Sequence, residues 1–176
     1  MIVTPPAPRT WRDKITTNFV VDEFAVSSSH PTLVSAVPRP LLPNILALCQ
    51  WVLEPVRIIF GGPLRITSGY RSAALNNAVG STESSQHRTA SAADTQCGDI
   101  VALWKVVLDL TRQDAIPGMG QVIYYPARRF IHFALRGNRY PFPHTCLHEP
   151  ARGVHYAHVK PTWEDTIALL RYEPKS

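Results

Sequence analysis

Cysteine is scarce in this chain: Cys49, Cys97 and Cys146 are the three it has. An odd number excludes a fully paired disulfide framework. Cys49 falls inside an apolar helical pattern and is expected to be a buried thiol. A long uninterrupted apolar run is also missing. The most apolar stretch, residues 44–60, is broken by Gln50, Glu54, Pro55 and Arg57, so no membrane span is expected. The opening Met-Ile-Val-Thr-Pro-Pro has neither the basic start nor the apolar core of a signal peptide. Synthesis in the cytoplasm is therefore expected, with any extracellular role reached by another exit route. Internal repeats and low-complexity segments are absent. Positive charge is scattered, clustering only at Arg128–Arg129 and at the Arg136 and Arg139 pair. The formal net charge of +5 suits an anionic partner such as a cell wall or nucleic acid. No recognition helix or stacking platform accompanies it, so no specific nucleic-acid reader is expected.

What remains is a globular composition. With 176 residues, 45% apolar and 18% charged, the chain can bury a core without staples. The prolines at 5, 6 and 8 mark residues 1–9 as a loosely held arm. Residues 44–59 read as an amphipathic helix, with Ile45, Leu48, Cys49, Val52, Val56 and Ile59 at three- and four-residue spacing. Pro55 should kink it or mark where one helix passes into another. Gly61-Gly62-Pro63 ends that unit. Residues 64–68 look like a strand, and 72–79 like a short helix closed by Gly80. Residues 90–96 resemble a second strand. Asp99 is placed to cap a helix over 100–111, with Val101, Trp104 and Leu108 inside. Residues 121–125 and 130–135 form an expected hairpin around Pro126-Ala127-Arg128-Arg129. An irregular Pro- and His-rich stretch follows, then a final helix over 162–171 with Thr162 and Asp165 as a capping box. Helices and strands do not alternate as regular βαβ units. The expected class is therefore α+β, helices packed on a small, mainly antiparallel sheet.

One short stretch raises a chemical question. "SQHRTASAAD", residues 85–94, holds His87 and Asp94 among mostly small residues. A catalytic zinc takes three protein ligands and leaves one position for water. His87 and Asp94 suit two of them. His132, an isolated polar residue in Phe130-Ile131-His132-Phe133, is the natural third. Taken singly, each also fits a turn residue or a satisfied core histidine.

Taken in order, the fragments "NFVVDEF" (18–24), "VLEPVR" (52–57), "ITSGYRS" (66–72), "LNNAVG" (75–80), "SSQH" (84–87), "AAD" (92–94) and "FIHFAL" (130–135) resemble the zinc D-alanyl-D-alanine carboxypeptidase family of peptidoglycan peptidases. The likeness is to its short, often phage-encoded branch, and it covers residues 18–136. It divides the chain into an arm (1–17), a peptidase-like core (18–136) and an extension packed on that core (137–176). It implies the fold shared with hedgehog signalling domains, and a Zn2+ held by His87, Asp94 and His132. The family's Ser-x-His…Asp motif is matched by Ser85, His87 and Asp94. Arg71, in Ser-Gly-Tyr-Arg, matches the arginine that in the family holds a substrate carboxylate, a task suited to a guanidinium fork. Ser85 and Gln86 would shape the site by hydrogen bonds. The implied substrate is a peptidoglycan peptide, and the implied setting is the cell wall after lysis or as part of a phage particle.

The pattern also departs from the family. Arg129 stands three positions before the last histidine, where the wider family has an acidic residue. Tyr125 stands where the short branch carries its glutamate, and Ala90 where the motif has glycine. Tyr125 could donate a hydrogen bond to an oxyanion, but a pKa of about 10 makes it a poor base. Of the 13 acidic residues, Glu149 is the expected replacement base, ahead of Glu83 and Glu23. Residues 144–158 hold four of the seven histidines, and these could supply a base, bind a second metal with Cys146, or simply rim a loop. Two functions follow: a zinc metallopeptidase acting on stem peptides or cross-links, or a catalytically silent zinc domain that binds wall peptide or builds a virion.

Overall fold

The computed structural model describes residues 14–137 in full, together with the backbone of two further strands, His144–Glu149 and Val154–His155. The expected arm over 1–9 and final helix over 162–171 lie outside the described residues.

Among the described residues, four α-helices and six strands follow one another in the order α1 (Leu42–Leu48), α2 (Glu54–Phe60), β1 (Arg65–Ser68), α3 (Ala73–Ala78), β2 (Ala92–Gln96), α4 (Ile100–Arg112), β3 (Met119–Tyr125), β4 (Phe130–Leu135), β5 (His144–Glu149) and β6 (Val154–His155). The strands form one sheet in the order β1-β2-β4-β3-β5-β6. Neighbours β1 to β3 pair antiparallel, and β5 joins the β3 edge in parallel. The α+β class with a mainly antiparallel sheet is what the sequence led us to expect. The strand over 144–149 is a correction, because that stretch reads as irregular. Its backbone is paired by the open edge of β3, and local composition carries no trace of a distant edge.

The residues between α1 and α2 show what Pro55 does. It has no N–H, and its ring would meet the carbonyl of Trp51 in a regular helix. The chain widens into a π turn over Cys49–Leu53, and Pro55 falls in the first turn of α2. Ile59, expected on the inner face, is 53% exposed near the end of α2, with Ile58 at 71%. Up to and through the turn the periodicity holds, and it extends to Val56: Ile45, Leu48, Cys49, Val52 and Val56 are fully buried. Residues Arg39–Phe60 are long and apolar enough to cross a membrane by composition, but half of the apolar window lies inside the protein.

Local signals placed the other helices well. The Ser72 hydroxyl accepts from Leu75 N at 3.3 Å, and Gly80 follows α3 with φ +69°. Asp99 accepts from Ala102 N at 2.9 Å at the start of α4. One sheet face carries Ala93, Thr95, Val122, Tyr124, Ile131 and Phe133, all fully buried. Trp104 of α4 meets Tyr124 there with ring centroids 5.3 Å apart. The opposite face carries Asp94 and His132, and the functional question moves to it.

Candidate metal centre

Strand register brings two of the three expected ligands together. Asp94 and His132 are direct partners across β2 and β4, so their side chains leave the same face. Both are buried, at 6% and 8% exposure. His87 arrives from a 3-10 turn, Gln86–Thr89, just before β2. That turn closes through Ala90, whose φ of +55° lies in the left-handed region. Glycine at this place in the family motif would adopt it without strain, whereas alanine bears roughly 1–2 kcal/mol. Ala90 N donates to His87 O at 3.2 Å, so the conformation is held by the same turn that presents the histidine.

The three ligand atoms converge. His132 Nδ1 lies 2.9 Å from Asp94 Oδ1 and 3.1 Å from His87 Nε2, and His87 Nε2 lies 3.3 Å from Asp94 Oδ1. The Nδ1 of His87 is 2.6 Å from Gly69 O, which only accepts, so Nδ1 donates there and Nε2 is the nitrogen turned toward the other two atoms. A shared proton can bridge only part of such a set of acceptors, whereas a cation satisfies all three. Tetrahedral zinc at ordinary bond lengths spaces its ligand atoms by about 3.4 Å, close to this triangle, and keeps a fourth position open. The donor set therefore fits a metal ion. Among the described residues no other His, Cys, Asp or Glu joins the group.

Charge states favour the same role. Burial opposes ionisation of Asp94, but the neighbouring His87 and His132 outweigh it and hold the carboxyl well below its usual range. Burial pushes His132 below the ordinary imidazole value, against the pull of Asp94. An ionised carboxylate beside a neutral imidazole is the protonation state that metal binding requires.

Arg71 is at the site, but its nearest partner is Asp94. Its Nη2 donates to Asp94 Oδ2 at 2.6 Å and its Nε to Ser68 Oγ at 3.0 Å. Gln86 donates from Nε2 to Leu135 O at 3.0 Å, fastening the His87 turn to the end of β4. Its Oε1 is buried without a hydrogen-bond partner among the described residues. Ser85 begins the turn through its backbone, accepting from Arg88 N at 3.0 Å, with no side-chain cap. Tyr125 shares the face of His132, two residues along β3 from Ile123, the partner of His132, and stacks on Phe130 at 4.3 Å. Of Glu149 the structure describes only the backbone, at the end of β5; its side chain lies outside the description. Arg129 is exposed in the β3–β4 turn, and Glu83 is exposed as well. Glu23 is engaged by Val20 N at 2.8 Å.

Two site residues escaped sequence reasoning, Ser68 and Gly69. Both lie within "ITSGYRS", but a carbonyl that sets a tautomer leaves no side-chain signature. A family model described as Peptidase M15 matches residues 17–134, a span holding Arg71, His87, Asp94 and His132. No curated protein matches the chain.

Proposed function

The chain belongs to the Peptidase M15 family, and from that premise we propose that it is a zinc metallopeptidase hydrolysing peptide bonds of peptidoglycan stem peptides or cross-links, as a carboxypeptidase or an endopeptidase. The observation that carries the reading is the convergence of His87 Nε2, Asp94 Oδ1 and His132 Nδ1. Zinc held by these atoms would supply a Lewis acid for the scissile carbonyl and a water acidic enough to react near neutral pH. The chain's own residues do the rest. Arg71, with five N–H donors, keeps some free for a substrate carboxylate after serving Ser68 and Asp94. The Tyr125 hydroxyl is offered as a donor to the carbonyl oxygen as it gains charge. Glu149 is offered as the group that takes a proton from the attacking water and returns it to the leaving amine. The +5 charge supports attraction to an anionic wall. Action at the wall after lysis, or from within a phage particle, is part of the same proposal.

A second reading has its own observation. Among the described residues no second carboxylate joins the metal group, and tyrosine stands where a glutamate is usual. A zinc domain that binds wall peptide without cleaving it would have this composition. The two readings separate when zinc-loaded protein is incubated with purified peptidoglycan and soluble products are analysed by mass spectrometry. New fragments, with the cut bond given by their masses, are the expected result. No fragments from protein carrying one zinc per chain would favour the binding domain.

A further inference from the structure

A carboxylate that binds a metal through one oxygen has a second oxygen that must be held, or rotation about its last bond exchanges the two. In this chain the holding is done by a guanidinium. We propose that Arg71 is a positioning residue for Asp94, fixing the carboxylate so that Oδ1 stays turned to His87 and His132; the proposal rests on the metal-centre reading above.

The geometry supports this at each atom. Arg71 Nη2 reaches Asp94 Oδ2 at 2.6 Å, while Oδ1 of the same carboxylate faces the histidines. The other end of the guanidinium is anchored by Nε to Ser68 Oγ at 3.0 Å. Ser68 and Asp94 are cross-strand partners on β1 and β2, so the planar group spans two adjacent strands in one fixed direction. Arg71 N donates to His87 O at 3.1 Å, joining the same residue to the peptide of a second ligand. The pair is not a surface ion pair, since the side chains are 12% and 8% exposed. Partners that orient metal ligands in this way are worth about 10- to 100-fold in metal affinity. A substrate carboxylate would then meet Arg71 only after its fork has been committed in part to the metal ligand.

The test must separate holding from charge. Removing the guanidinium charge beside a cation would by Coulomb's law tighten zinc binding and mask a positioning loss. Arg71→Lys keeps the charge and loses the planar fork. Ser68→Ala keeps both the arginine and the aspartate and removes only the anchor at Nε. Zinc dissociation constants are measured on full-length protein, without substrate, by competition with a chromophoric chelator. We expect a rise of about 10- to 100-fold for Arg71→Lys and a smaller rise for Ser68→Ala. The visible absorption of the Co2+-loaded protein should change in Arg71→Lys, because the carboxylate is free to turn. Thermal melts of the metal-free variants report folding, and if Arg71→Lys does not fold, Ser68→Ala carries the test. Zinc constants within threefold of the unsubstituted protein, with an unchanged cobalt spectrum, would overturn the proposal while leaving the metal centre intact. No zinc uptake by the unsubstituted protein would overturn the metal-centre reading itself, and the proposal with it.

Discussion

Replacing His132 by alanine is expected to abolish stoichiometric zinc binding and all hydrolysis of wall peptide. His132 Nδ1 is the ligand atom nearest to both others, at 2.9 Å from Asp94 Oδ1 and 3.1 Å from His87 Nε2. Without it two donors remain. Structural zinc sites bind with about 10–16 kcal/mol, so one ligand among three or four carries on the order of 3–4 kcal/mol. That corresponds to a loss of affinity of about 10²- to 10³-fold. The fold should tolerate the change better than the site does. Alanine is compatible with a strand, and the lost hydrogen bond to Asp94 costs about 1–3 kcal/mol. Zinc content per chain after dialysis, with circular dichroism beside it, reads both effects. A folded variant that still holds one tightly bound zinc would place the metal elsewhere.

Gly69→Ala should damage stability and the metal centre together. A Cβ at position 69 would lie 2.3 Å from Phe24 O and 2.6 Å from Phe24 Cα. These are backbone atoms and cannot swing aside. The neighbouring peptide is fixed as well, because Tyr70 N donates to Phe24 O at 2.7 Å and Gly69 N to Val26 O at 3.3 Å. Any shift that relieves the clash also moves Gly69 O, which accepts the Nδ1 proton of His87 at 2.6 Å. Overpacking and loosened hydrogen bonds together should cost about 2–4 kcal/mol. For a chain of this size that lowers Tm by roughly 5–15 °C. Zinc affinity should fall with it, since the tautomer of His87 is no longer set. Gly98→Ala is the control, with nothing within 4 Å of an added Cβ. Equal melting of the two variants would show that position 69 has room to spare.

How much of this could be read beforehand depended on how local the cause was. Asp99 and Ser72 announce their helices because a cap is a short-range hydrogen bond. The β3–β4 hairpin follows from two apolar runs around a Pro-containing turn. The candidate ligands were legible as residue types at a spacing, and the pairing of Asp94 with His132 sets two of them side by side. Other features depend on atoms distant in sequence or on the backbone alone. The backbone widens into a π turn before Pro55, and Ile59 faces outward although the apolar period runs straight through to it. The edge of β3 made a strand of residues 144–149. Arg71 looked like a group for substrate, and its bond to Asp94 Oδ2 became visible only when β1 and β2 were set side by side. Ala90 looked like a flaw in the motif, and its left-handed φ shows why glycine belongs there.

The most direct test is anomalous diffraction at the zinc edge from crystals of the zinc-loaded protein. One peak per chain is predicted, about 2.0–2.2 Å from His87 Nε2, Asp94 Oδ1 and His132 Nδ1, with Asp94 Oδ2 still on Arg71. A map with no peak between those three atoms, or with its peak among the histidines of residues 144–158, would contradict the metal centre and the peptidase built on it.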